Sequence, residues 1–286
     1  MNRYYKDYSE YLSEFFPGIK VQKLSINAGF SCPNRDGTIG KGGCIYCDNT
    51  TFTPSYCFAH DSVTQQIEAG KRFFSRKYPA MKYLAYFQSF TNTFISDTSS
   101  GSTLEERDRE IRKASVKRLE SLYREALGCK DVLGLVIGSR PDCFSDEVIE
   151  LLADLNREYK VFVEIGAETS HNSTLHLINR GHTWEQTVDT VNRLASRGLE
   201  VGLHLICGLP SESEEMILET VRRVIELPIG SLKFHHLQII ESTELHKGYL
   251  SGKYDVTPYS MEAYLSLCER IIKIVPREIE IERFLA

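Results

Sequence analysis

The sequence predicts an α/β fold: a partial (β/α)6 TIM-like barrel of parallel strands. Three observations predict it. Six short β-branched or aromatic runs, at 21–26, 82–88, 132–137, 160–165, 199–206 and 231–239, alternate with longer helical patterns, as βα units do. The intervening helices carry end signals that supply acceptors for orphan N–H groups: Thr103 with Glu106 and Thr183 with Gln186 form capping boxes, and Ser145 precedes the acidic turn Asp146, Glu147. Gly198 and Pro228 supply stops, and Val148, Leu151, Leu152 and Leu155 fall on one helix face, ready to cover a sheet. Finally, no repeat or Pro/Gly/Ser-rich linker divides the chain. Right-handed crossovers bring all strand C-termini to one rim, where ligands should bind.

The expected organisation is a helical N-terminal extension at 1–20, the barrel at 21–240, and a tail at 241–286 with a helix near 260–275 and the strand-like EIEIERF. The abrupt end there predicts a further C-terminal extension in the natural protein. Over 286 residues, 42% apolar content is enough for an extensive core. No run approaches the roughly 18 apolar residues of a membrane span, and the start lacks a secretion leader, so a cytoplasmic location is expected.

The net charge of −5 argues against coating nucleic acid through charge alone. Basic residues nevertheless cluster at Lys71, Arg72, Arg76 and Lys77, and again at Arg107, Arg109, Arg112, Lys113, Lys117, Arg118, Arg124 and Lys130. The simpler reading is a solvated helix face balanced by Glu106, Glu110 and Glu120; a surface for a polyanionic substrate is the other.

Eight cysteines without a secretion signal point to metal or catalysis rather than a disulfide framework. Cys57, Cys129, Cys143, Cys207 and Cys268 are scattered and read for the most part as small buried hydrophobes. Cys32, Cys44 and Cys47 instead form a C-x11-C-x2-C loop directly after the first strand. Its glycines allow tight folding and bring amides near thiolate sulfur, where hydrogen bonds tune an anionic cluster. Three thiolates on a cubane leave one iron open. A structural zinc site would need a fourth ligand, such as Cys57 or His60.

With YFQSFTNT, GSRPDC, EIGAETSHNSTLHLINRGH, HLICGLPSE and KFHHLQ at the ends of successive predicted strands, the chain resembles the Elp3-like branch of the radical S-adenosylmethionine (SAM) superfamily, especially small bacterial members without an acetyltransferase domain. The resemblance covers nearly the whole chain. It implies a [4Fe–4S] cluster on Cys32, Cys44 and Cys47, with SAM on the open iron and Tyr46 near the adenine. It also implies that Gln88, in a loop continuing to Asn92 and Thr93, contacts the SAM amino group and that Arg180 pairs with the carboxylate. Glu168 stands where relatives usually carry Gln facing the ribose; Glu164 is the other candidate for that ligand, and His204 occupies a ribose-contacting position. Gly208, Leu209 and Pro210 resemble the turn beneath the adenine. Arg140, Asp142 and either His235 or His236 point to the same mouth, for substrate or SAM.

The activity implied is reductive cleavage of SAM to a 5′-deoxyadenosyl radical, with flavodoxin or ferredoxin as electron donor. Elp3-like relatives act on tRNA wobble uridine, and the small bacterial members resemble enzymes that convert its C5 carboxymethylaminomethyl group to aminomethyl. The alternatives are a radical SAM enzyme acting on a small metabolite or protein side chain, and a zinc-stabilised RNA-binding module without catalysis.

Overall fold

A computed structural model describes residues 4–49, 51, 53–75, 80–94 and 104–285, with side chains of 104–113 excluded. Arg76, Lys77 and the Thr103 capping box lie outside the described residues, as do the side chains of Glu106, Arg107, Arg109, Glu110, Arg112 and Lys113. The strands are β1 (Val21–Ile26), β2 (Lys82–Phe87), β3 (Val132–Ser139), β4 (Lys160–Glu168), β5 (Glu200–Cys207), β6 (Ser231–His236) and β7 (Glu280–Arg283). They form one parallel sheet in sequence order, β1 to β7, the half-barrel expected of this fold. The sequence suggested six barrel strands; the structure has seven among its described residues, because EIEIERF pairs with β6 instead of standing apart. Its short alternation, Glu280, Ile281, Glu282, Arg283, is strand-like as expected, and in the sheet it turns both carboxylates inward.

The helices are α1 (Tyr8–Phe15), α2 (Val63–Ser75), α3 (Leu104–Leu127), α4 (Asp146–Glu158), α5 (Asn172–Leu177), α6 (Trp184–Ala195), α7 (Glu214–Val224), α8 (Glu244–Leu250) and α9 (Met261–Ile274). The Thr183–Gln186 capping box and the Ser145 cap, accepting from Val148 N, form as expected. Helices α2, α3, α4 and α6 cover the outer sheet face, where Leu135, Val163, Leu203 and Phe234 join the main core. No described helix is long and apolar enough to cross a membrane.

Helix α1 does a different job. Tyr11 and Leu12 pack against the inward-facing Leu84, Tyr86, Val136 and Phe162, so the helix plugs the half-barrel from below. Main-chain contact of Lys6 and Asp7 with Ile281 ties it to β7. Burial of this kind leaves the strand C-termini as the open end. Helices α2 and α3, which connect successive parallel strands, run back from that end, so Lys71, Arg72, Arg124 and Lys130, at or just beyond their C-termini, lie at the base. Lys71 even donates to the Lys130 carbonyl. These basic residues do not frame the mouth.

Burial pushes Glu280 up to about 9, and both its carboxylate oxygens lack hydrogen-bond partners. The folded chain therefore keeps a proton that the unfolded chain releases near the ordinary value of 4.5, and stability falls as pH rises between those values. We expect Glu280→Gln to be more stable than wild type by about 2–4 kcal/mol at pH 8, with the gap closing towards pH 5. Urea unfolding at the two pH values measures it; a pH-independent gap would refute the assignment.

Candidate active site

At the C-terminal end of the strands lies a cavity of about 260 Å³. Its walls include Cys32, Cys44 and Cys47 with Tyr46, then Gln88 after β2, Arg140 after β3, Glu164 and Glu168 from β4, Arg180, His204 from β5, and His235 and His236 from β6. The expected residues therefore converge, with Asp142 absent from the wall. Arg140 is held by Asp142 through a bidentate pair, 2.9 and 2.8 Å, which occupies that carboxylate and leaves Arg140 Nη1 buried and unpaired.

The cysteine loop is fastened to the chain after α5. Ile45 N donates to the Ile178 carbonyl at 3.1 Å, Asn179 Nδ2 to the Gly43 carbonyl at 2.7 Å, and Asn34 to the Asn179 carbonyl. Gly43 has φ +81°, and a Cβ there would stand 2.8 Å from Arg35 Nε, so only glycine fits. Arg35 in turn donates to the Cys47 carbonyl at 2.7 Å. Arg180 Nη1 points at Cys44 Sγ from 3.5 Å, and its other nitrogens meet the Gly166 carbonyl, His182 and Glu168. Glu168, which would be costly if buried alone, thus has its partner 3.2 Å away. Its φ of +66° and the irregular β4–β5 register between Gly166 and Glu168 turn this side chain into the cavity. Gly166 leaves the room: a Cβ would meet Arg180 Nη2 at 2.5 Å and Glu168 Oε1 at 2.7 Å.

Gln88 Oε1 accepts from Ser25 Oγ at 2.9 Å, which fixes the side chain on the cavity wall. Asn92 and Thr93 pin their loop to β3 through the Gly138 carbonyl and Ser139. Leu209 packs with Ile45 under Tyr46, while Gly208 lies against Tyr259; neither lines the cavity.

Beneath these groups is a charged floor that sequence reasoning missed. Glu164 accepts from Lys23, from Tyr86 at 2.7 Å, from Lys233 at 3.3 Å, and shares a 2.7 Å contact with His204 Nε2. Glu282 pairs with the same lysines, at 2.6 Å to Lys23 and 3.2 Å to Lys233. The two ammonium groups hold both carboxyls below their ordinary range against burial. Lys23 thereby joins β1 to β7 across the open side of the sheet. The missed signal was polar residues at inward positions of otherwise apolar strands, as Lys233 in SLKFHH.

The donor set fits an iron–sulfur cluster. All three cysteines are free, line one cavity, and have guanidinium groups near the loop to offset anionic sulfur. Among the described residues, no three His, Cys, Asp or Glu side chains are drawn together as one metal ion would require. Cysteines on separate corners of a cubane need no such convergence. Cys57 is hydrogen-bonded to Gln66 and His60 is largely exposed, so neither candidate fourth zinc ligand joins the three thiols at the cavity wall.

Residues 32–224 match the radical SAM superfamily profile, and 229–286 match the radical SAM C-terminal domain. The chain belongs to the radical SAM superfamily. It is a radical SAM enzyme, and the family implies SAM and a [4Fe–4S] cluster. Protein YhcC of Escherichia coli K12 is 36% identical to this radical SAM chain over 270 residues, covering 94% of this chain and 79% of that protein. The tRNA uridine(34) acetyltransferase of Methanocaldococcus jannaschii is 29% identical over 154 residues, 53% of this chain and 28% of the acetyltransferase. The solved Methanocaldococcus infernus Elp3 shares the fold, with TM-score 0.65 at 20% identity; the match covers 93% of this chain and 57% of the Elp3 chain. The Elp3-like resemblance is thereby borne out.

Proposed function

We propose that this radical SAM enzyme remodels the C5 side chain of tRNA wobble uridine, converting carboxymethylaminomethyl to aminomethyl. The similarity to a tRNA uridine(34) acetyltransferase carries this reading, since the matched 154 residues are 53% of this chain but 28% of the acetyltransferase. The basic residues at the base of the barrel add no support, because they lie away from the mouth.

Cys32, Cys44 and Cys47 would hold the cluster, with the fourth iron left for SAM. Arg180 would take the SAM carboxylate, exchanging part of its contact with Glu168, and Gln88 would receive the amino group. Tyr46 would pack by the adenine. Glu168 is the better ribose ligand of the two carboxylates, because four protein donors already occupy Glu164. His204 then serves through Glu164 as well as facing the cavity. Arg140 and His236 would face substrate, with Asp142 orienting Arg140. When bound, the cluster and SAM supply abstraction of a hydrogen atom from an unactivated carbon. The protein's contribution is to hold the glycine-like methylene of the side chain against that reagent; a two-electron oxidation there, with SAM going to methionine and 5′-deoxyadenosine as the oxidant, would give an imine that one water hydrolyses to the aminomethyl uridine and glyoxylate. A flavodoxin or ferredoxin would deliver the electron.

Deleting the gene should make carboxymethylaminomethyl uridines accumulate in tRNA hydrolysates, with loss of the aminomethyl derivatives. Liquid chromatography with mass detection reads both; an unchanged nucleoside profile rejects the substrate.

A further inference from the structure

The charges of the cavity floor do not balance. Lys23 and Lys233 are matched by Glu164 and Glu282 in a closed set of ion pairs. Glu280 keeps its proton, with a value raised to about 9, and His235 is neutral, with its value pushed down to about 2 by burial and by the neighbouring cations. Arg283 remains. It comes from the end of β7, in register with Lys233, lines the same cavity, and makes no ion pair with any described carboxylate. Its Nε is buried without a hydrogen-bond partner. His236 Nδ1, at the end of the adjacent strand, is likewise buried, unpaired and on the cavity wall. Arg283 is half-buried, and leaving its shielded Nε without an acceptor is costly; a planar anion that accepts from the guanidinium fork removes that cost.

We infer that Arg283, from the C-terminal strand, is the carboxylate-binding group of the substrate pocket and grips the acidic end of the side chain to be removed. This rests on the tRNA reading above, and it gives β7 a role in selecting substrate. SAM offers a carboxylate too, but Arg180 stands at Cys44 Sγ, whereas no hydrogen bond joins Arg283 to any cluster cysteine. Arg140 also keeps one open donor, Nη1, on the cavity wall, but its charge is already matched by Asp142, whereas that of Arg283 is not. A backbone phosphate of the tRNA is the remaining anion, and free nucleosides separate it from the side-chain carboxylate because they carry none.

The test is equilibrium dialysis of the reconstituted, SAM-loaded full chain against 5-carboxymethylaminomethyluridine and 5-aminomethyluridine, with SAM affinity and tRNA conversion measured alongside. Wild type should prefer the carboxylate nucleoside by ~30-fold or more, and Arg283→Gln should lose most of that preference. Arg283→Lys, which keeps the charge without the fork, should recover part of it, and SAM affinity should stay unchanged in both variants. If wild type converts tRNA while Arg283→Gln keeps the preference, the subsite is refuted and the function stands. A fall in SAM affinity instead assigns Arg283 to the cofactor and also refutes it. If wild type converts no tRNA, the function falls and takes the subsite with it.

Discussion

Replacing Cys44 with alanine should remove the iron–sulfur cluster and with it all reductive cleavage of SAM. Anaerobically reconstituted wild type should hold about four iron and four sulfide per chain, as a cubane requires, and the variant close to none. Formation of 5′-deoxyadenosine with dithionite should drop by at least ~10³-fold, because the cofactor carries the chemistry and no side chain replaces it. Cys44 is the sharpest position of the three. It is the buried one, with Arg180 and Asn34 both directed at its sulfur. Cys57→Ala is the matched control: that thiol is buried against Gln66, away from the cavity, so cluster content should be unaltered. Equal loss in the control, or iron retained without Cys44, would overturn the ligand assignment.

The cysteines were legible because metal ligation imposes residue type and spacing on a loop, where nothing else selects for thiols. Most strands were legible too, since burial on both faces writes runs such as VLGLVIG, and strand ends differed by only a few residues. The seventh was legible as a strand but not as a member of the sheet. Nothing local says that strand-like EIEIERF will pair with β6, because its carboxylates become inward-facing only when Lys23 and Lys233, more than forty residues upstream, supply their counter-charges. The same non-local dependence hid the floor of the site. Glu164 reads equally well as a ligand for ribose or as the centre of a salt-bridge cluster, and only three-dimensional neighbours decide between them. The role of α1 was also hidden, since an amphipathic helix does not declare that its apolar face will enter the bottom of a barrel rather than coat the outside.

Removing the Glu164 carboxylate should destabilise the fold more than any single core truncation near the cavity. In the native chain two buried lysines face two buried glutamates; in Glu164→Leu, Lys23 and Lys233 must share Glu282 alone. Breaking a buried pair from one side leaves an uncompensated charge and costs about 3–5 kcal/mol, with the orphaned Tyr86 hydroxyl and His204 adding to it. The pH dependence has a defined sign. The ammonium groups hold the folded carboxyl below its ordinary value of 4.5, so its contribution is complete above that value and is lost as pH falls through the lower folded one. Wild type and variant should therefore converge in acid and separate towards neutrality. A charge-balanced double variant isolates the cause. In Lys23→Met with Glu164→Leu, the Lys233–Glu282 pair survives at 3.2 Å as a neutral unit, and about half or more of the lost stability should return in urea unfolding. If Glu164→Leu lies within about 1 kcal/mol of wild type, or the double variant is worse than the sum of its singles, the floor is not held by charge balance. The excess positive charge assigned to Arg283 would then lose its physical basis, since that excess is counted against the same four groups.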